Sequence, residues 1–316
     1  MTLRQIGFVF PGQGGQRVGM GKDLMDVFPL ASRYFDQAKE ILGYDLASIC
    51  FEGPAEDLTL TENAQPALFI LSVIFYELLK EQGVTPTMVA GHSLGELSAY
   101  YAAGALDFGS ALRLIAIRGN AMSQACKAGE AGMVAVMGME VSLLEDMVAP
   151  LSSDPVVIAN YNCPGQIVIS GKKQSLERLI PELKSKGAKC IPLKVSGAFH
   201  SPYMNSASDV LRKEIESYDF QNARVPIILN RTAQPETEAS ALKENLIHQV
   251  VSPVKWIQSM TWIANQVDMS VECGYGKVLT GLSKKIMPDH KIYPLSDVSG
   301  YETFMKDVLL KEDTHV

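Results

Sequence analysis

The sequence predicts an α/β protein whose mainly parallel sheet is interrupted by a small βαββαβ unit. Short apolar runs alternate with longer amphipathic segments along most of the 316 residues, which is typical of parallel strands joined by covering helices. Between residues 133 and 196 the runs become shorter and follow the order of a ferredoxin-like split βαβ motif. Because 47% of the residues are hydrophobic, the chain can bury the large core that such a protein needs.

The first part of the chain predicts two strands and four helices. The strands are residues 6–10 and 87–90, and the helices are residues 30–42, 63–82, 94–103 and 108–125. The helix over residues 63–82 is apolar around most of its circumference, so we expect other elements to cover it on most sides.

The remaining elements form a small unit and then a return to the large one. The small unit has strands at residues 133–139, 156–161, 166–170 and 189–195 and helices at residues 142–148 and 174–186. The chain continues with strands at residues 225–229, 269–272 and 292–295 and helices at residues 241–250, 253–266, 277–286 and 301–310. We therefore assign residues 1–130 and 197–316 to a large domain and residues 131–196 to a small subdomain.

The composition argues against several classes of partner and site. A net charge of −7 disfavours nucleic acid and anionic membranes as partners. The longest apolar run, residues 67–75, is too short to cross a bilayer, and the first strand lacks the length and cleavage region of a signal peptide. Five scattered cysteines without a Cys-x-x-Cys pair argue against a disulfide framework and a zinc site. We expect a cytoplasmic protein that holds no metal.

The small unit differs in charge from the rest of the chain. Residues 133–196 carry seven basic and six acidic residues, a balance of +1, which leaves −8 for the remainder. The unit is therefore a candidate docking surface for an acidic partner, although a solvated lysine face is the simpler interpretation. From charge alone, the candidate docking lysines are Lys172, Lys173, Lys184, Lys186 and Lys189 in this unit and Lys284 and Lys285 outside it.

A strand–turn–helix segment around Ser93 is the strongest candidate for chemistry. The apolar strand runs into Gly-His-Ser-Leu-Gly at residues 91–95 and then into a predicted helix. In such a turn the glycines let two backbones touch, the serine hydroxyl projects from the sheet, and the helix start supplies free N–H groups. The segment predicts a nucleophile beside an anion-binding pocket, against the alternative that Gly-x-Ser-x-Gly occurs by chance.

Two loops that follow strands are further candidates. Residues 11–16, Pro-Gly-Gln-Gly-Gly-Gln, lack the lysine and Ser/Thr of a phosphate-binding loop. They form either a tight turn or the second wall of an active site, with a backbone N–H near Gln13 facing a developing oxyanion. His200 lies in a loop at residues 197–202, where a rigid scaffold often presents catalytic groups. Arg118, taken alone, is typical of a solvated or stem-packed residue on an amphipathic helix.

Read together, five features resemble the malonyl-CoA:acyl carrier protein transacylases along almost the whole chain. They are Pro-Gly-Gln-Gly at residues 11–14, Gly-His-Ser-Leu-Gly-Glu at residues 91–96, Arg118, Gly-Ala-Phe-His-Ser-Pro at residues 197–202, and Gln249. The resemblance implies an α/β-hydrolase-like domain interrupted by a ferredoxin-like subdomain, in agreement with the unit predicted from periodicity.

The resemblance also implies roles for eight residues. They are Ser93 as nucleophile, His200 as general base, Gln13 and Leu94 as backbone donors of the oxyanion hole, Arg118, His92 and Phe199 as substrate-binding residues, and Gln249 as the residue that orients the histidine. The arginine would grip the free malonyl carboxylate, because a planar guanidinium stays charged and binds two oxygens at once. Gly15 and residues 230–233 depart from the usual family segments, and we expect neither to touch a catalytic group.

The implied reaction moves a malonyl group from malonyl-CoA to the phosphopantetheine thiol of an acyl carrier protein. It would pass through a malonyl-serine intermediate in fatty acid biosynthesis, with no bound cofactor and an acidic, transient carrier partner. We expect a monomer.

Three alternatives remain from the sequence. A stand-alone acyltransferase could load a polyketide synthase, and a proofreading hydrolase could release stalled acyl groups from carriers. Arg118 argues against the hydrolase, because an unpaired guanidinium is costly in a pocket for neutral acyl chains. A non-catalytic carrier-binding module is disfavoured by the intact Ser93 and His200.

Overall fold

The computed structural model describes residues 4–126, 129–148 and 154–309. The strands are β1 (Ile6–Phe10), β2 (Met88–Gly91), β3 (Ala131–Met137), β4 (Val157–Cys163), β5 (Gln166–Lys172), β6 (Lys189–Pro192), β7 (Ile227–Ile228), β8 (Pro235–Glu236), β9 (Met269–Cys273) and β10 (Ile292–Leu295). The helices are α1 (Lys22–Val27), α2 (Pro29–Leu42), α3 (Leu46–Glu52), α4 (Ala55–Thr59), α5 (Thr61–Glu81), α6 (Gly95–Ala102), α7 (Phe108–Gln124), α8 (Val141–Val148), α9 (Lys173–Ser185), α10 (Asn205–Ile215), α11 (Ala239–Gln249), α12 (Trp256–Ala264), α13 (Val278–Ile286) and α14 (Val298–Leu309).

The larger sheet is mainly parallel and has the strand order β10-β9-β1-β2-β7-β8. All neighbours pair in parallel except β7 and β8, which pair antiparallel at one edge. The central strand β1 reads Ile-Gly-Phe-Val-Phe and is buried at every residue, because helices cover both faces of a parallel sheet. In register, Phe10 lies opposite Gly91, so β1 and β2 end together at the edge where Ser93 follows.

Helix α5 forms the centre of the core on one side of this sheet. Its 21 residues are apolar on most sides, and the segment from Ala64 to Tyr76 is buried throughout. This confirms the expectation for residues 63–82. Phe8 of β1 packs edge to face against Tyr76, which joins the helix to the central strand.

The smaller sheet is antiparallel and has the strand order β4-β5-β3-β6. With α8 after β3 and α9 after β5, this is the βαββαβ arrangement of a ferredoxin-like fold. Leu144 of α8 and Leu176, Leu179 and Leu183 of α9 are buried against the sheet in one hydrophobic cluster. The predicted fold class, a mainly parallel sheet interrupted by a small ferredoxin-like unit, is therefore confirmed.

Main-chain hydrogen bonds join the small sheet to the large part of the molecule. The Val254 N–H donates to the Ala159 carbonyl at 2.8 Å, and the Tyr161 N–H donates to the Val254 carbonyl at 2.9 Å. Val254 therefore extends the edge of the small sheet beyond β4. A hydrophobic cluster containing Met133, Phe199 and Val250 fills the space beside this junction.

Some elements differ from the sequence prediction. Helices α1, α3, α4 and α10 and the short strand β8 were not predicted, and the strand predicted at residues 225–229 is only two residues long. Helix α14 begins at Val298 rather than residue 301, and residue 310 of the predicted helix lies outside the described residues. Within the described ranges, every helix is too short or too polar to span a membrane.

Candidate active site

The turn between β2 and α6 holds Ser93 in a left-handed backbone conformation with φ of 53°. A Cβ on Gly91 would lie 1.8 Å from the backbone of Gly95, and a Cβ on Gly95 would lie 2.1 Å from the Phe10 carbonyl oxygen. Only glycine fits at either position, because the neighbouring atoms are backbone and cannot move aside cheaply. The geometry is that of a nucleophile elbow, with the serine at the end of the central strands.

His200 lies beside Ser93, although 107 positions separate the two residues. The Ser93 Oγ is 2.7 Å from the His200 Nε2, and His200 is itself in a left-handed conformation with φ of 57°. The His200 Nδ1 lies 3.1 Å from the Gln249 carbonyl oxygen and 3.0 Å from the Ser252 carbonyl oxygen. Because carbonyls only accept hydrogen bonds, Nδ1 carries the proton and Nε2 is free to act as a base.

The loop that carries His200 is anchored to the small sheet. The Ser170 Oγ of β5 donates to the Phe199 carbonyl at 2.6 Å, and the Ser201 hydroxyl donates to the Ala198 carbonyl. The Phe199 side chain is buried in the cluster at the junction with the small sheet. Phe199 therefore fixes the path of the chain immediately before the histidine.

Arg118 of α7 is fully buried and faces the same point. One of its terminal nitrogens, Nη2, donates to the Ser93 Oγ at 3.1 Å and to the Gln249 Oε1 at 2.8 Å. The other, Nη1, donates to the Gln65 Oε1 at 2.8 Å. Neutral amides therefore hold the guanidinium, and its Nε–H is buried without a partner among the described residues.

Burial lowers the pKa of both cationic candidates, and neighbouring charges modify the effect at each. Burial lowers the pKa of Arg118 to about 10, which leaves it charged at neutral pH. Burial and the nearby Arg118 charge lower the pKa of His200 to about 3. The histidine is therefore neutral when it meets substrate, as a general base must be.

The loop after β1 reaches the elbow from the other side. A Cβ on Gly12 would lie 2.5 Å from the His92 carbonyl oxygen, so the loop and the elbow are in contact. Within the described residues, the backbone N–H groups of Gln13 and Leu94 donate to no other group. Two unpaired donors in adjoining segments are the chemical requirement of an oxyanion hole.

His92 contacts the small sheet rather than the reacting serine hydroxyl. Its Nε2 is 2.8 Å from the Asn162 Oδ1 of β4, and its ring packs edge to face on Trp256 with centroids 5.5 Å apart. Burial lowers the pKa of His92, so it is neutral and donates to the amide oxygen. Its contacts make it a link between the elbow and the small sheet.

The expectation that residues 230–233 touch no catalytic group is wrong. The Asn230 Oδ1 accepts a hydrogen bond from the Ser93 N–H at 2.7 Å, and its Nδ2 donates to the Gly91 carbonyl at 2.5 Å. Asn230 follows β7, the strand beside β2, so the sheet order brings it to the elbow. A departure from the family pattern in this segment therefore does not place it away from the site.

Four contacts of the site were missed by sequence reasoning. They come from Gln65, Asn162, Asn230 and the Ser252 carbonyl. Asn162 and Asn230 are polar residues near the ends of strands, and that position in the sequence could have indicated a role in the site. Gln65 lies within an apolar helix, and the role of Ser252 falls on its backbone, so neither carried a distinctive signal.

Comparisons with known proteins agree with this geometry. Residues 7–280 match the family described as acyl transferase domain. The malonyl CoA-acyl carrier protein transacylase of Bacillus subtilis is 45% identical over 315 residues, which are 98% of this chain and 99% of the relative. The Escherichia coli (strain K12) protein of the same name is 40% identical over 289 residues, which are 90% and 94% of the two chains.

Solved structures show the same similarity. The acyl carrier protein S-malonyltransferase of Vibrio cholerae has a TM-score of 0.92 and 38% identity, covering 95% of this chain and 99% of that one. A malonyl-transacylase in complex with its type II polyketide synthase acyl-carrier protein has a TM-score of 0.93 and 36% identity, covering 96% and 99%. With a nucleophile elbow, a neutral histidine and a buried arginine at one point, the chain belongs to the malonyl-CoA:acyl carrier protein transacylase family and is an acyltransferase.

Proposed function

We propose that Ser93, His200 and Arg118 carry out malonyl transfer from malonyl-CoA to an acyl carrier protein. The observation that supports this assignment most directly is that the Ser93 Oγ lies within hydrogen-bond distance of both the His200 Nε2 and the Arg118 Nη2. The guanidinium binds the malonyl carboxylate and places the thioester carbon against the serine hydroxyl. A neutral acyl group would leave that buried charge without an anionic partner.

The reaction then proceeds in two halves. His200 takes the proton of Ser93 as its oxygen attacks the thioester carbon, and the Gln13 and Leu94 N–H groups stabilise the developing oxyanion. The tetrahedral intermediate collapses, coenzyme A leaves as a thiol with the proton from His200, and malonyl-serine remains. The phosphopantetheine thiol of the carrier repeats the sequence in reverse and releases Ser93.

Water competes with that thiol for the malonyl-serine. The Gln249 and Ser252 carbonyls orient His200 where many hydrolases use a carboxylate. Carbonyl dipoles stabilise an imidazolium less than a full negative charge does, which makes His200 a weaker base. Water is a much weaker acid than a thiol, so a weaker base slows the attack of water more than the attack of the carrier thiol. This arrangement favours transfer over hydrolysis and disfavours the proofreading hydrolase.

A surface cavity lies next to the residue that contacts the Gln13 side chain. It has a volume of about 370 Å³, and its lining includes Thr61, Lys194 and Ser196. The Thr61 Oγ1 is within 3.5 Å of the Gln13 Nε2, which links the cavity to the loop of the oxyanion hole. We place the phosphopantetheine arm here. The exposed Lys194 at its rim, together with lysines of α9, then meets an acidic carrier that binds transiently.

Intact-mass measurement tests the assignment. After incubation with malonyl-CoA, the enzyme gains one malonyl adduct, and Ser93→Ala gains none. Adding carrier protein discharges the adduct onto the carrier, and Lys194→Glu raises the carrier concentration needed for half-discharge without slowing adduct formation. An adduct on another residue, or discharge to free malonate at the same rate with and without carrier, contradicts the proposal.

Other features of the protein belong to the same proposal. We take residues 131–196 as the small subdomain and residues 1–130 and 197–316 as the catalytic domain, since β3 to β6 lie within the former range. All five cysteines lie within the described residues and are unpaired, which supports a reducing cytoplasm. We further propose that the protein is a monomer and works in fatty acid biosynthesis. Replacing the fatty-acid carrier by a polyketide carrier in the same assay tests the alternative pathway.

A further inference from the structure

Glu96 is a fully buried carboxylate next to the catalytic elbow to which the mechanism above gives no task. It lies in the first turn of α6, three residues after Ser93, and has no exposed surface. Among the described residues only one other carboxylate, Glu272, is as deeply buried. Buried carboxylates are costly unless their oxygens are matched by donors, so the contacts of Glu96 reveal what holds it there.

Each oxygen of Glu96 accepts a short hydrogen bond from a different part of the fold. Its Oε2 accepts from the Asn230 backbone N–H at 2.6 Å, in the segment after β7. Its Oε1 accepts from the Asn245 Nδ2 of α11 at 2.6 Å and from the Tyr100 hydroxyl at 3.5 Å. The carboxylate therefore ties three separate elements together directly behind the nucleophile.

Asn230 carries this connection to the nucleophile. While its own N–H is held by Glu96, its side-chain oxygen accepts from the Ser93 N–H at 2.7 Å and its amide donates to the Gly91 carbonyl at 2.5 Å. Ser93 is a non-glycine residue with positive φ, a conformation that persists only where the surroundings hold it. The relay from Glu96 through Asn230 holds the strand side of this turn, and the Gln249 Nε2 donates to the Ser93 carbonyl at 2.8 Å on the other side.

The charge state of Glu96 is also supported by its surroundings. Burial raises the pKa of Glu96 to about 7, against the stabilising effect of the Asn230 and Asn245 donors and of the Arg118 charge. The Asn245 Oδ1 is buried without a partner in the described part of the chain. If that amide rotates, its oxygen can accept a hydrogen bond from the Nε2 of a glutamine at position 96. The Oε1 of the glutamine can then still accept from the Asn230 N–H.

We propose that Glu96 is a positioning residue for malonyl transfer, which acts through Asn230 to hold the backbone of Ser93 in its reactive conformation. The inference rests on the proposed function of Ser93 as nucleophile. Since every acyl substrate uses that nucleophile, Glu96 controls the rate of acylation irrespective of the acyl group. It differs in this from Arg118, which contacts the malonyl carboxylate.

Substitution at positions 96 and 230 tests the relay. Glu96→Ala should lower the rate of acyl-serine formation by about 10- to 100-fold, the range for loss of a hydrogen bond to a charged group, and by the same factor with malonyl-CoA and acetyl-CoA. KM for malonyl-CoA should stay within about twofold of wild type while kcat falls. Glu96→Gln should restore most of the rate, because it retains an acceptor for the Asn230 N–H.

The double variant separates a relay from a general loss of stability. Asn230→Ala should by itself lower the acylation rate, and the double variant should lose far less than the product of the two single losses, because both changes cut the main route from position 96 to Ser93. Multiplicative losses would overturn the proposal. If Glu96→Ala does not fold, an Asn230→Ala enzyme that acylates at the wild-type rate overturns it equally.

Glu272 provides the matched control. It is buried to the same degree, but its oxygens accept from the Leu279 N–H and from the Thr280 N–H and hydroxyl at the start of α13. Glu272→Ala should lower the melting temperature and leave the acylation rate of the folded enzyme unchanged. An equal loss of acylation in both alanine variants would overturn the proposal. The proposed function is tested separately: it holds if wild type and Glu272→Ala both form malonyl-Ser93, whatever the result for Glu96→Ala.

Discussion

Replacing Arg118 by alanine should convert a malonyl-selective enzyme into one that prefers neutral acyl groups. The guanidinium is fully buried, and among the described residues it donates hydrogen bonds to neutral oxygens while the Glu96 charge acts on it only through space. The malonyl carboxylate therefore supplies the direct anionic contact that it lacks. Removing one partner of a buried charge pair costs about 3–5 kcal/mol. At 1.36 kcal/mol for each tenfold change in rate, kcat/KM for malonyl-CoA should fall by about 10²- to 10⁴-fold.

The expected loss with acetyl-CoA is much smaller. Acetyl has no carboxylate, so Arg118→Ala removes hydrogen bonds to the Ser93 Oγ, the Gln249 Oε1 and the Gln65 Oε1, of which only the first reaches the reacting atom. A hydrogen bond contributes about 1 kcal/mol net, or roughly fivefold in rate. The ratio of malonyl to acetyl transfer should therefore drop by about two orders of magnitude.

The assay is the rate of coenzyme A release in the presence of carrier protein, measured with both thioesters. Arg118→Lys serves as the comparison, because it keeps a positive charge but lacks the planar fork that binds two oxygens, and it should fall between wild type and alanine with malonyl-CoA. Circular dichroism and the melting temperature establish that each variant is folded. Equal losses with malonyl-CoA and acetyl-CoA would refute the carboxylate-binding role and leave Arg118 as a support for Ser93 alone.

Two further predictions concern stability. Gly95→Ala places a Cβ 2.1 Å from the Phe10 carbonyl oxygen and should lower the melting temperature by several degrees. Gly281→Ala on α13, where a Cβ meets no atom of the described residues within 4 Å, should instead stabilise the fold by about 0.5–1 kcal/mol. Equal melting temperatures in thermal scans would contradict the close packing at the elbow. Since the pKa of His200 falls from 6.5 to about 3 on burial, the unfolded chain binds a proton that the folded chain does not over that range. Its contribution to the free energy of unfolding should decrease by about 1.4 kcal/mol per pH unit as pH falls from 6.5 towards 3, and urea titrations of His200→Asn should lack this component.

The sequence predicts the elbow well because the rules that govern it are local. A buried strand, two glycines around a serine and a helix start are adjacent in the chain, and Gly91 and Gly95 have no alternative at their close contact. The small unit is predictable for the same reason, because its strands are long enough to show their period. Helix α10 is harder to predict from the sequence, because small and polar residues such as Ala207 and Ser208 occupy part of its buried face and weaken the apolar pattern.

The contacts of the site depend on topology, which sequence patterns do not record. Asn230 reaches Ser93 only because β7 lies beside β2, and β7 is so short that its pattern extends into the neighbouring loops. The positioning of His200 relies on two backbone carbonyls, for which any residue type would serve. Residue identity therefore indicates the nucleophile and the base, while the fold determines what holds them.

The main-chain bonds at Val254 couple the position of the small sheet to the alignment of the base. Ser252, whose carbonyl accepts a hydrogen bond from the His200 Nδ1–H, is two residues from the point where the small sheet is attached. An acyl group large enough to wedge the two sheets apart would pull on the same short segment and tilt the imidazole away from the serine. Oversized substrates would then be rejected by slow chemistry after they bind, and a bulky thioester would behave as a competitive inhibitor with little turnover.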